Sequence, residues 1–364
     1  MEVNAAHIEP SFMTSPGKVA SQKGPFAQTV IDGSIRDDQT PPPCPLCGEL
    51  EGTLAFDAAD EFGNHFPVRA CSCCQSHFLF PTPTSEQLEK AYAVAYYGEG
   101  STKFGGLVEK LRDRTFSGRA KRFARDLQKG ARILDIGCGD GRLLRQFKCC
   151  RNDLELFGVE LPGPAAERTR ATSGITLKLG SVDSVEFEDS SFDFISMIHV
   201  IEHVPSPRQA LQRMVRWLKP GGTLFLAFPN IDSWQARCFG AAWFHLDPPR
   251  HLSLVAPRAL QSTLLNLGLE LTEQRHFCAE QNLYGWIQSL LNRFDTDRNF
   301  LYERLKRNRG FSAHRRWALL WQLPIAGLMI PFAIIFDVLA ALSGRGATVE
   351  LTFRKTTPSH HVSQ

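Results

Sequence analysis

The stretch Ile133-Leu134-Asp135-Ile136-Gly137-Cys138-Gly139-Asp140-Gly141-Arg142-Leu143-Leu144 decides the fold. It reads as an apolar strand, a glycine turn and the first turn of a helix. Glycine lets a backbone turn tightly and come close to a ligand, and a helix N-terminus offers free N–H groups. The glycines fall at 137, 139 and 141, and Arg142 stands where a dinucleotide-binding G-x-G-x-x-G loop has its third glycine. Asp135 sits ahead of the loop where it would repel a pyrophosphate, whereas a ligand with an ammonium group suits it. Twenty-five residues on, Leu156-Phe157-Gly158-Val159-Glu160 ends a second apolar run in an acid that can accept both hydroxyls of a ribose.

The same rhythm continues outward. Short apolar runs at 132–136, 154–159, 192–198, 223–228 and 269–275 alternate with helix-like stretches at 208–218 and 257–267. Strands separated by helices at this spacing predict repeated βαβ units, hence an α/β fold with a doubly wound, largely parallel sheet. A strand at 347–354 is expected to complete that sheet beside 269–275.

Over roughly residues 125–280 these motifs, in order, resemble the Rossmann-like class I methyltransferases that use S-adenosylmethionine. The resemblance rests on Leu134 to Gly141, on Phe157-Gly158-Val159-Glu160, on Ser191-Phe192-Asp193-Phe194-Ile195, on Ile201-Glu202-His203-Val204 and on Leu218-Lys219-Pro220-Gly221-Gly222. It implies that Asp135, Gly137, Gly139 and Gly141 line the methionine and ribose and that Glu160 holds the ribose. It also implies that Ser181, Val182 and Asp183 flank the adenine, with Ser181 where the family often has an acid. His199 closes the fourth strand and is counted with the donor-binding residues.

Methyl transfer to a hydroxyl needs alignment of donor and acceptor and a base for the acceptor's proton. His199, Glu202 and His203 lie at the carboxyl edge of the fourth strand, where open α/β sheets bind ligands, and form either a base site or a weak metal site. Ubiquinone-biosynthesis O-methyltransferases, which this region resembles, carry Glu-x-x-Glu-His there; His199 replaces the first Glu. The segment Trp243-Phe244-His245-Leu246-Asp247-Pro248-Pro249-Arg250-His251-Leu252 reads as too polar for core and too rigid for a linker. It is similar to an acceptor-covering loop of methyltransferases from glycan and small-molecule pathways. His251 is the first base candidate and His245 the second. No Asn/Asp-Pro-Pro-aromatic motif follows the fourth strand, which favours a hydroxyl or carbon acceptor over an amine.

Half of the ten cysteines fall between 44 and 74. Cys44-x-x-Cys47 and Cys71-x-x-Cys74 are two knuckles 23 residues apart, a spacing that suits a structural tetrahedral Zn²⁺. Cys73 and His77 offer an alternative shell with Cys44 and Cys47. The opening MEVNAAHIEP lacks a basic stretch followed by an apolar one, so a reduced, cytoplasmic setting is expected.

The whole chain has 364 residues, 22% of them charged, and a net charge of +3. Bulk charge therefore does not announce a nucleic-acid partner. Residues 318–336 carry no charge over 19 positions, long enough for a membrane helix, although Pro324, Gly327 and Pro331 are expected to break it. Residues 293–316 hold eight basic and three acidic side chains, so a helical pair on an anionic leaflet is expected through 293–345, with peripheral attachment to the inner face of the membrane.

The expected organisation is thus a disordered tail (1–43), a zinc ribbon (44–83), a helical linker (84–130) and a methyltransferase core (131–280). A basic and apolar helical insertion (281–345), the last strand (346–356) and a short tail (357–364) follow. The expected acceptor is a small molecule or lipid-linked glycan. The competing readings are a zinc-ribbon ribosomal-RNA methyltransferase, a nicotinamide oxidoreductase and a non-catalytic zinc adaptor.

Overall fold

The computed structural model describes residues 43–92, 106–295, 298–305 and 317–357. The expected tails at 1–42 and 358–364, the Tyr96-Tyr97-Gly98 stretch and basic positions 306–316 lie outside them.

The chain begins with β1 (Gly52–Ala59), β2 (His65–Cys71) and β3 (His77–Leu79), a small antiparallel ribbon. Helix α1 (Ser85–Ala91) starts at a capping box in which Thr84 accepts from the Gln87 N–H and Gln87 reaches back to the Thr84 N–H. Helix α2 (Gly106–Ala124) leads into the core, which runs β4 (Arg132–Ile136), α3 (Arg142–Cys150), β5 (Glu155–Glu160), α4 (Pro164–Arg170), β6 (Ile175–Leu179) and β7 (Phe192–Ile198). It continues through α5 (Pro207–Trp217), β8 (Leu218–Pro229), α6 (Trp234–Phe239), β9 (Ser253–Leu254), α7 (Pro257–Asn266) and β10 (Leu269–Arg275). Then come α8 (Ala279–Phe294), α9 (Phe300–Leu305), α10 (Ala318–Leu342) and β11 (Thr348–Lys355).

Seven strands form one sheet in the order β10-β11-β8-β7-β4-β5-β6. The pairs from β6 to β8 are parallel, and β11 enters antiparallel between β8 and β10. The expected last strand and its neighbour are therefore present. β6 was not among the expected strands; its sequence ITLKL alternates, and only half of it is covered, as befits a sheet edge.

The central strands are apolar on both faces because helices cover both. Leu134, Ile136, Ile195 and Met197 pack with α5 and α7, while Ile133, Phe194 and Phe225 pack with α2 and α3. The ribbon is not a separate body. Cys44, Leu46, Cys71 and Phe78 belong to the α5-side core, and β9 pairs with β3 through His77↔Leu254 and Phe78↔Ser253. A strand from the core thus completes the ribbon's sheet.

Two expectations need correction. The Trp243–Leu252 segment is core, with Trp243, Phe244, His245, Leu246 and Arg250 all buried. Its polar groups are paired from several elements: Arg250 forms ion pairs with Glu61 and Asp247, Ser289 accepts from the Phe244 N–H, and Arg298 donates to the Trp243 carbonyl. Arg298 is consequently buried and not part of any basic surface. The second correction concerns α10, which runs unbroken through Pro324 and Pro331.

Candidate active site

The glycine loop bends at the carboxyl end of β4. Gly137 has φ +67°, and a Cβ there would meet Val200 at 2.3 Å, so only glycine fits. Gly139 has φ +59° and faces open space, which leaves its backbone bare toward the cleft. Its N–H donates to Glu160 Oε2 (2.6 Å), and the Leu161 N–H donates to Oε1 (3.0 Å). Burial raises the Glu160 carboxyl despite these two bonds. Beside it, Ser196 donates to Asp135 Oδ1 (2.7 Å), and burial pushes Asp135 up to about 7.

These residues line a cleft of about 910 Å³. Asp135, Gly137, Gly139, Glu160, Ser181, Val182, Asp183 and His199 all reach its surface, so the donor-binding candidates are brought together except Gly141, which turns the chain into α3. The opposite end is apolar and comes from elsewhere in the sequence: Phe78, Leu79, Pro83, Leu88 and Leu252. Nothing in the ribbon's sequence marks these side chains as cleft wall; the β3–β9 pairing puts them there.

A cluster of imidazoles borders the cleft. His199 and His203 line the cleft; among the described residues Glu202, His245 and His251 do not. His199 has φ +53°, in the left-handed region that few residues other than glycine adopt. Its Nδ1 lies 3.5 Å from Glu202 Oε1, and its Nε2 is buried without a partner. His203 Nδ1 lies 2.9 Å from the Arg250 carbonyl and 2.8 Å from the Tyr92 hydroxyl. His251 Nδ1 lies 2.7 Å from the His245 carbonyl. A carbonyl only accepts, so both rings carry their proton on Nδ1 and keep the lone pair on Nε2. His251 Nε2 is 4.0 Å from Glu202 Oε1.

Glu202 is 1% exposed, and neither carboxylate oxygen has a hydrogen-bond partner. Burial raises this acid, but the contact with His199 and the charges of His203, His251 and His199 outweigh it and hold it down to about 2. Burial meanwhile lowers His203 to about 4 and His245 to about 3. The ligand atoms of Glu202, His203 and His251 lie within 4.8 Å of one another, a group of one carboxylate and two imidazoles whose chemistry suits a cation.

The four knuckle sulfurs also converge. Cys44 and Cys74 are 3.6 Å apart and Cys47 and Cys71 3.5 Å, with all four within 4.8 Å. These distances are too long for disulfides and near the edge of about 3.8 Å that a tetrahedron with 2.3 Å Zn–S bonds requires. Cys73 is exposed, and His77 stacks on Phe56 while its Nδ1 meets the Gln75 carbonyl, so neither joins them.

Residues 108–274 match the sequence profile of the methyltransferase-domain family. The chain is 28% identical over 156 residues to a ubiquinone biosynthesis O-methyltransferase of Xanthomonas oryzae pv. oryzae, covering 40% of this chain and 64% of that protein. It is 33% identical over 115 residues to an uncharacterized 37.1 kDa protein in transposon TN4556 of Streptomyces fradiae, covering 30% of this chain and 33% of that one. The chain therefore spans less than two thirds of the length of these relatives. Among solved structures it is similar to a putative sarcosine dimethylglycine methyltransferase from Galdieria sulphuraria, with 19% identity, 74% and 98% of the two chains covered and a TM-score of 0.46.

Proposed function

From the premise that residues 108–274 are a class I S-adenosylmethionine-dependent methyltransferase domain, we propose that the chain methylates a hydroxyl of a small metabolite, sugar or lipid-linked glycan. The observation that carries this reading is the single cleft that joins the Asp135–Gly139–Glu160 donor cradle to His199 and to an apolar wall. In it Asp135 faces the donor's ammonium group, and Glu160, already fixed by two backbone N–H groups, keeps lone pairs for the ribose hydroxyls. The domain's family argues against a nicotinamide oxidoreductase.

His199 is the base. It lines the cleft, and Glu202 stands behind Nδ1. A base at this point contributes about 10²- to 10⁴-fold in rate. The apolar wall of Phe78, Leu79, Leu88 and Leu252 favours an acceptor with a hydrocarbon or flat ring portion. Zn²⁺ held by Cys44, Cys47, Cys71 and Cys74 is structural: four thiolates leave no open position, and the knuckles fix the strand that carries that wall. The test is a calorimetric donor titration followed by transfer of labelled methyl into lipid, glycan and RNA fractions. Label confined to RNA overturns the acceptor class, and donor binding without transfer into any fraction overturns the activity.

A second reading is favoured by the unpartnered Glu202 carboxylate: a divalent cation on Glu202, His203 and His251, which would polarise the acceptor oxygen when bound. The Nδ1–H bonds of both imidazoles to backbone carbonyls are the support that metal-bound histidines usually have. Metal analysis of protein with an intact zinc ribbon separates the two. One equivalent of metal beyond the zinc, lost in Glu202→Gln, supports the cation; its absence leaves the first reading.

A further inference from the structure

Helix α10 is built inside out. Positions 318, 322, 326, 329, 333, 337 and 340 recur at helical spacing and carry Ala, Gln, Ala, Met, Ala, Asp and Ala. Ala318, Gln322, Ala333, Asp337 and Ala340 on this stripe are buried. The stripe faces the protein: Ala333 packs with Trp286, Ile287 and Leu291 of α8 and Leu301 of α9, and Gln322 donates to Asp295 at the end of α8 (2.5 Å). Leu319, Trp321 and Ile325 flank this stripe against the protein, as Met329 does within it, and the remaining large side chains point the other way. Leu320, Leu328 and Leu342 are 79%, 68% and 81% exposed, and Leu323, Phe332, Ile334, Ile335 and Leu339 are exposed with them.

A helix that faces water puts its polar residues outward. α10 does the reverse, with small and polar groups on the protein and branched apolar groups outside, which is the pattern of a helix whose outer solvent is hydrocarbon. Its length, about 37 Å at 1.5 Å per residue, would span a bilayer. A crossing is nevertheless excluded by the same stripe, because Gln322 and Asp337 would leave their protein partners for lipid along the helix's whole length. The helix's end also returns within five residues to Thr348 of β11.

The sequence just ahead of α10 indicates which surface it meets. Residues 304–316 carry six basic and no acidic side chains, and the exposed Trp317 follows. Basic groups beside a tryptophan at the start of an apolar helix match the headgroup layer of an anionic leaflet.

We propose that α10 lies in the plane of an anionic bilayer, its outer face sunk into one leaflet, so that the enzyme is monotopic and works at a lipid surface. The proposal is independent of the methyl-transfer reading. It is tested by flotation of the full chain with vesicles of phosphatidylcholine and phosphatidylglycerol, in parallel with analytical ultracentrifugation without vesicles. The wild-type chain is expected to float. The triple variant Leu320→Gln/Leu328→Gln/Leu342→Gln is expected to float at least about tenfold less, with unchanged donor affinity and thermal midpoint, because all three positions are exposed. A wild-type chain that stays off the vesicles overturns the proposal, as does a dimer that the triple variant dissociates in the absence of vesicle binding.

Discussion

The two halves of the cleft are finished to different degrees. In the donor half Glu160 holds two backbone N–H groups and Asp135 holds a serine hydroxyl. One donor-half atom, Asp183 Oδ1, is buried without a partner; at and behind the acceptor half, Glu202, His199 and His245 leave four such atoms. Buried polar groups are normally satisfied, so these atoms keep hydrogen-bonding capacity to offer a ligand, an ion or a proton. The lining of the donor half comes from one stretch of chain, from β4 to Asp183 just beyond β6. The acceptor half is assembled from the ribbon, α1, the end of β7 and the Arg250–Ser253 segment. On the proposed reading, the contrast teaches that donor recognition is a local property of this sequence and acceptor recognition a tertiary one.

The most severe way to break that contrast is to remove a ligand of the zinc proposed for the ribbon. Cys44→Ser should unfold the ribbon, at a cost on the order of 5 kcal/mol or more, because structural zinc supplies folding energy directly. Donor binding should stay within about threefold while turnover is lost, since the apolar wall and the β9 partner go with the ribbon. Calorimetry and zinc content check both; turnover in zinc-free protein would mean that the acceptor site does not depend on the ribbon. A finer cut is His199→Ala, expected to lower kcat about 10²- to 10⁴-fold with donor affinity unchanged, whereas His245→Gln should leave kcat within about tenfold because His245 does not reach the cleft.

The same contrast governs what could be read before the fold was known. Asp135, the three glycines and Glu160 are legible because strand, turn and acid follow at fixed spacings, and the parallel order of β4 to β8 follows from the alternation of apolar runs and helices. The cysteine knuckles are legible for the same reason. The Trp243–Leu252 segment was not, because its charges looked like a surface loop. Only the tertiary pairing of Arg250 with Glu61, 189 positions away, reveals a buried ion pair. His251 ranked first as base by residue type, but whether a side chain lines the cleft is decided by its neighbours, and the left-handed turn at His199 carries no sequence signature. α10 defeated the reading differently: the helix runs through both exposed prolines while its other side is held against α8.

The smallest expected effect sharpens the donor half on its own. Burial raises Asp135 from 3.8 to about 7, although Ser196 opposes the shift. A carboxyl raised in this way stabilises the free protein when protonated; its contribution is complete below about pH 4 and is lost as pH rises through about 7. The donor's ammonium group favours the ionised form, so binding below pH 7 must release a proton. Donor affinity should then weaken by up to about tenfold for each pH unit below 7 and level off above it. Titration calorimetry in buffers of different ionisation enthalpy reads the proton release directly. Asp135→Asn should remove both the release and the pH dependence, and should bind the donor about ten- to a hundredfold more weakly at pH 8, with the free protein no less stable there. A pH-independent affinity in the wild-type chain, with no proton released, would show that Asp135 does not give up a proton when the donor binds.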